Sequence, residues 1–142
     1  MAFGVSVARL GDLGSSPSSS VPKVEHTTTI AKGVINVGAG DYDYRQFEVP
    51  ADASNAIVRG GFYVNGSIAD EIRVMIFNAE TFAKWQSDYT LAENYYFSTD
   101  VTTANLEADV PSGQTFYIVF DNTFSATSSK SVIVDIELAF LQ

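Results

Sequence analysis

Few residues in this sequence have side chains suited to chemistry. His26 is the only histidine, and there is no cysteine. Disulfides, thiol nucleophiles, thiolate metal sites and histidine-clustered metal sites are thereby removed, and one base is left for a Ser-His-Asp arrangement. His26 stands beside Thr27, Thr28 and Thr29, and no Gly-x-Ser-x-Gly elbow occurs anywhere. An exposed strand-edge histidine is the better reading. Gly38-Ala39-Gly40 leads into a strand pattern rather than a helix, so it reads as a turn and not as a phosphate cradle.

Oxygen ligands occur as Asp41-Tyr42-Asp43 and as Asp70-Glu71. Calcium takes about six to eight oxygens, and neither cluster supplies them or matches a twelve-residue calcium loop. Solvated turns are expected there, with Asp41 and Asp43 the nearest approach to a metal site. A glycosidase pair could be drawn from the 17 acidic residues in many ways, which carries no information without separations. The sequence therefore presents no catalytic residues and calls for no cofactor, and the chain reads as something other than an enzyme.

Aromatic residues are plentiful. Tyr42, Tyr44, Tyr63, Tyr89, Tyr95, Tyr96 and Tyr117, with Trp85, could line a sugar platform or a protein-binding patch. Tyrosine is also an ordinary strand residue, and packing against a sheet is the preferred reading. Asn65-Gly66-Ser67 fits the glycosylation triplet, but Asn-Gly already accounts for itself as a hairpin turn.

The elements that must position these residues follow from length and pattern. A chain of 142 residues is the size of one domain. Its 17 Asp and Glu against 8 Lys and Arg give a formal charge of -9, which repels phosphate backbones and anionic lipid. Nucleic acid and membrane surfaces are not expected partners. No apolar run approaches the ~20 residues needed to span a bilayer. Met1–Leu10 lacks an early Lys or Arg and is interrupted by Gly4, Ser6 and Arg9, so it does not read as a secretory signal. The chain is expected either to be made without one or to have lost one ahead of Met1. A virion-associated or extracellular setting is favoured.

Residues 11–20, GDLGSSPSSS, cannot bury enough apolar surface to order themselves. Ahead of them Phe3, Val5 and Val7 alternate with small residues in a short strand-like pattern. Residues 1–23 thus read as a flexible arm and 24–142 as the domain. Within the domain the period is two. Val132, Val134, Ile136, Leu138 and Phe140 share one face while Asp135 and Glu137 take the other. Leu106, Ala108 and Val110 alternate likewise. Thr115–Phe120 is apolar on both faces and suits a central strand. Ile72–Phe77 and Ile57–Val64 read as strands, the second bent or weakened at Gly60-Gly61. Further strands are expected over His26–Val37, Tyr42–Val49 and Tyr89–Phe97. One helix interrupts them, capped by Asn78 with Glu80 in its first turn and Phe82 and Trp85 on one face, and is expected to close an end of the sandwich. The expected fold is all-β: an eight-stranded antiparallel sandwich of GOLD or jelly-roll type, with one short helix and an extended N-terminal arm. Leu106, Phe116, Ile118, Phe120, Val134, Ile136 and Leu138 should form its core.

The order EIRVMIF, NAETFAKW, a strand ending in YYF, a Pro-x-Gly turn, then TFYIVFDNTFS and SVIVDIELAF after SSK, resembles the GOLD domain family over roughly Ile30 to Gln142. Its most specific piece is Phe116–Ser125 with Lys130 beyond it. The resemblance implies an eight-stranded sandwich and a non-catalytic protein–protein interaction module. The transmembrane cargo receptors of that family carry cysteines, a coiled coil, a membrane span and a cytoplasmic tail, none of which is present here. Asp121-Asn122-Thr123 matches the family pattern and reads structurally, since Asp and Asn side chains bond nearby backbone where a strand ends.

Three function classes follow. The first is a self-assembling or partner-binding subunit, of a virion or a cell surface, that uses its arm: Phe3, Val5 and Val7 on one face of a strand can add to a neighbour's sheet edge. Twenty-two extended residues reach at most roughly 70–80 Å, far enough to cross onto another subunit. The second is an extracellular carbohydrate- or peptide-binding domain. A small hydrolase comes last, for want of a site. The expected partner is a protein or further copies of this chain, in an oligomer or larger assembly.

Overall fold

A computed structural model describes residues 22–66, 70–91, 93–98 and 100–142. Its elements are β1 (Glu25–Val37), β2 (Tyr42–Glu48), β3 (Ser54–Val64), β4 (Arg73–Asn78), α1 (Ala79–Asp88), β5 (Tyr96–Phe97), β6 (Thr103–Asp109), β7 (Thr115–Asp121) and β8 (Lys130–Leu141). They build two four-stranded antiparallel sheets, ordered β1-β8-β3-β6 and β2-β7-β4-β5. This is the eight-stranded sandwich that the alternation implied, and its strand order is that of a jelly roll.

The inward faces of the two sheets form the main core. All seven residues expected there are buried: Leu106, Phe116, Ile118, Phe120, Val134, Ile136 and Leu138. β7 lies between β2 and β4, as its two apolar faces require. Its inward side chains join the core, while Tyr117 and Val119 look outward beside Met75 and Phe77 of β4. That second apolar surface needs a cover, and α1 supplies it. The helix lies on the outer face of the β2-β7-β4-β5 sheet, not at an end of the sandwich as expected. Phe82 and Trp85 drive it there, stacking on Tyr117 at 4.6 Å and Phe77 at 5.9 Å between centroids. Asn78 caps the helix through a capping box with Thr81, as its position implied.

Two local readings are corrected. Tyr89–Phe97 is not a strand: Tyr89 ends α1 in the left-handed region at φ 60°, and only Tyr96–Phe97 pairs, with β4. Asn65-Gly66 does not close a hairpin, because β3 and β4 belong to different sheets and the chain crosses between them there. β3 continues through Gly60-Gly61, the point expected to be bent or weakened. The φ of 146° at Gly60 and the Asp135 carbonyl in the place of a Cβ show that glycine is there to let β3 and β8 approach.

Three buried polar residues gather where the crossings meet. The Lys130 ammonium donates to Asn122 Oδ1 at 2.7 Å and to the Glu71 carbonyl at 2.9 Å. The Asn122 amide donates to the Gly38 carbonyl at 3.0 Å and the Ser128 carbonyl at 2.7 Å, and its main-chain N–H to Asp41 at 2.9 Å. Asp121 accepts from the Thr123 N–H at 2.8 Å and faces Arg73 Nη1 at 3.5 Å. The Phe124 ring lies 4.8 Å from the Arg73 guanidinium and 5.0 Å from the Lys130 ammonium. The structural reading of Asp121-Asn122-Thr123 therefore holds.

Two stability measurements check this account. Leu138→Ala should lower the urea-unfolding free energy by about 2–5 kcal/mol, as a buried large-to-small change. Asn122→Ala should cost about 2–5 kcal/mol, because it strands a buried cation and two carbonyls at once. Lys130→Met removes the charge with its need for partners and should cost less, about 1–3 kcal/mol. Equal losses for the two variants would contradict the arrangement described.

Candidate interaction site

The residues singled out for chemistry do not converge. His26 is exposed on β1 and stacks on Phe140 at 5.5 Å, as an edge histidine would. Asp41 and Asp43 accept hydrogen bonds from the main chain next to them, Tyr42 N–H and Tyr44 N–H, each at 2.8 Å. Asp43 also holds Arg45 at 3.2 Å. Among the described residues no three His, Cys, Asp or Glu side chains come together as a metal-binding group. Phe3, Val5 and Val7 lie outside the described residues. The arm, residues 1–23, is described only at Pro22 and at Lys23, whose ammonium reaches the Ser54 hydroxyl at 3.1 Å.

Two surfaces stand out instead. The first is the edge of β1. It pairs with β8 alone among the described strands, through a register that shifts between Thr29 and Ala31. Val24 and Gln142 exchange both main-chain bonds, at 3.2 and 3.1 Å. By the two-residue alternation of an antiparallel ladder, His26 and Thr28 then spend their main-chain groups on β8, and Glu25, Thr27 and Thr29 turn theirs outward. All five side chains are exposed. Arg59 of β3 fastens this stretch from the outer face. It bonds Glu137 of β8 at 2.7 Å and Glu25 of β1 at 3.2 Å, and the Glu137 bond raises its pKa further above the usual range. Among the described residues the stretch is an open edge up to the shift at Thr29/Ala31: uncharged between Glu25 and Lys32, rich in β-branched residues and free of proline.

The second surface is the α1 face. Trp85 and Phe82 are buried under the helix, while Tyr44 is 42% exposed and Tyr89 46%. Tyr42 joins them, edge-on to Trp85 at 4.9 Å and to Tyr89 at 5.9 Å, with its hydroxyl accepting from Gln86 at 2.9 Å. Tyr44 leans on Phe82 at 5.1 Å and Tyr117 at 5.9 Å. Of the other tyrosines, Tyr63 is exposed on the opposite sheet, Tyr95 packs edge-on against Phe116, and burial pushes the Tyr96 phenol pKa up. The aromatic list thus divides into a buried stack and a few rings left on its surface. A sequence pattern cannot show that α1 lies over β4 and β7 and meets β2 only through the Tyr42 and Tyr44 rings.

No family model and no curated protein matches the chain. Among solved structures it is similar to the crystal structure of Aeromonas hydrophila PliG, a periplasmic lysozyme inhibitor of g-type lysozyme. The identity is 11% with a TM-score of 0.43, over 85% of each chain.

The two tiers of aromatic residues should respond differently to truncation. Trp85→Ala should cost about 3–5 kcal/mol and loosen α1 from the sheet. Tyr44→Ala should change unfolding free energy by less than about 1 kcal/mol. Thermal and urea unfolding of the two variants measure the contrast.

Proposed function

We propose that this chain is a non-catalytic protein-binding and assembly module that works by strand addition. In this reading the N-terminal segment of one copy, with Phe3, Val5 and Val7, pairs along the β1 edge of another. The observation that carries the proposal is that edge, where Glu25, Thr27 and Thr29 direct main-chain donors and acceptors away from β8. Such an edge takes up an extended peptide by main-chain bonding, with alternate side chains adding specificity. The arm's exit supports the same reading, since residue 22 leads directly into β1 and twenty-two extended residues would reach at most roughly 70–80 Å. With a net charge of -9, identical domains repel at close range, so assembly rests on main-chain and apolar contacts rather than on charge pairing. A subunit role in a virion or at a cell surface, and kinship with GOLD-like sandwiches, belong to this proposal.

Sedimentation and circular dichroism test it together. Deleting residues 1–22 should abolish assembly while the domain stays folded, and Phe3→Asp with Val5→Asp should do the same. Thr27→Pro should also block assembly without unfolding the sheet, because the N–H it removes faces away from β8. A full-length chain that sediments as a monomer overturns the proposal, as does a deleted chain that assembles like the parent.

A further inference from the structure

The α1 face carries its own argument, independent of the β1 edge. Along β2 the outward residues after Tyr42 and Tyr44 are Gln46 and Glu48, opposite Tyr117 and Thr115 of β7. The helix starts beside that end, after Asn78, which pairs with Phe116, and it finishes where Tyr89 meets Tyr42. Exposed carboxylates therefore flank the tyrosines at both ends: Glu48 and Glu80 at one, Asp41 and Asp88 at the other.

Little on this face balances them. Lys84 is matched to Glu80 at 3.9 Å. Arg45 holds Asp43, Arg73 holds Asp100 at 2.8 Å and faces Asp121, and Lys130 is buried on Asn122. The cations of the domain are largely engaged by its own groups, while this row of tyrosines is bordered by acid. The rings are also fixed in advance. Tyr42 is locked between Trp85, Tyr89 and the Gln86 amide, and Tyr44 rests on Phe82. Ordering them on binding therefore costs little side-chain entropy.

We propose that the α1–β2 face is a docking site for a cationic segment of a partner protein. Lysine or arginine side chains of that segment lie over the faces of Tyr44 and Tyr89 and reach the carboxylates at either end. Charge complementarity selects this occupant. A second copy of this acidic chain would bring like charge to the same face, and a cation over a tyrosine ring gains from the ring's negative face as well as from the nearby acids. A neutral sugar would use the rings and leave the carboxylates without a role.

The test is an NMR titration of the full chain with an eight-residue peptide alternating arginine and glycine, and with the same peptide carrying glutamate for arginine. The arginine peptide should bind saturably, with shifts confined to β2, α1 and the Trp85 indole, and the glutamate peptide should not bind. Tyr44→Ala with Tyr89→Ala keeps the charge and should weaken binding at least about tenfold, by analogy with interface aromatics. Glu107→Gln with Asp109→Asn, on β6 of the other sheet, removes as much charge as two site carboxylates would and should change affinity less than about twofold. Shifts spread over both sheets, or equal losses in the two double variants, would reduce the binding to net charge and overturn the proposal. So would the absence of saturable binding, or saturable binding of a neutral oligosaccharide at the same residues in its place.

Discussion

The hydrogen bond from the Lys130 ammonium to Asn122 Oδ1, 2.7 Å long and buried, is where the two sheets are held in register with one another. In a jelly roll the ladders fix neighbours within a sheet but say nothing about how one sheet sits on the other. Here Asn122, one residue beyond β7, bonds the turn before β2 and the loop before β8, and Lys130 adds the segment before β4. Three crossings, β1–β2, β3–β4 and β7–β8, are thereby tied by two side chains. Among the described residues this cation meets a side-chain amide, a carbonyl and the Phe124 ring. Such a site contributes through satisfaction of every polar atom more than through Coulomb attraction, and that makes it intolerant of partial loss.

Much of this was legible in the sequence because period-two alternation and turn residues report directly on strands. The faces of β6, β7 and β8 and the cap at Asn78 follow from patterns only a few residues long. Asn122, Phe124 and Lys130, close together in sequence, meet in the buried polar cluster. What alternation cannot give is which sheet a strand joins. Asn65-Gly66 has hairpin chemistry, yet β3 and β4 part there, because register between distant strands outweighs a local turn preference. Tyr89–Phe97 has strand composition, yet Tyr89 serves as a helix cap and leaves only two residues to pair. The identity of the edge strands, and hence the β1 surface, is likewise a property of the whole sheet order.

The two surfaces differ in physical kind. The β1 edge offers directional main-chain groups and little side-chain chemistry, so it suits a partner defined by extended conformation. The α1 face offers rings and carboxylates on a rigid base, so it suits a partner defined by its side chains. They lie on different sheets, β1 at the margin of one and α1 over the outside of the other, which leaves both accessible to different occupants at the same time.

The pairing of β1 with β8 has a consequence for synthesis on the ribosome. Nearly every connection in this chain crosses between sheets, and the first strand of the domain finds its only described partner in the last. Ribosomes extend a chain at about 5–20 residues per second. β1 therefore emerges seconds before Lys130–Leu141 exists, with both of its margins bare. Local hairpins cannot shelter it, since its neighbour in sequence, β2, belongs to the opposite sheet. Closure must wait for the final strand and then proceed through distant contacts, the slow route for small domains. The acidic excess, which lies beyond β1 in the sequence, opposes contact between longer nascent chains.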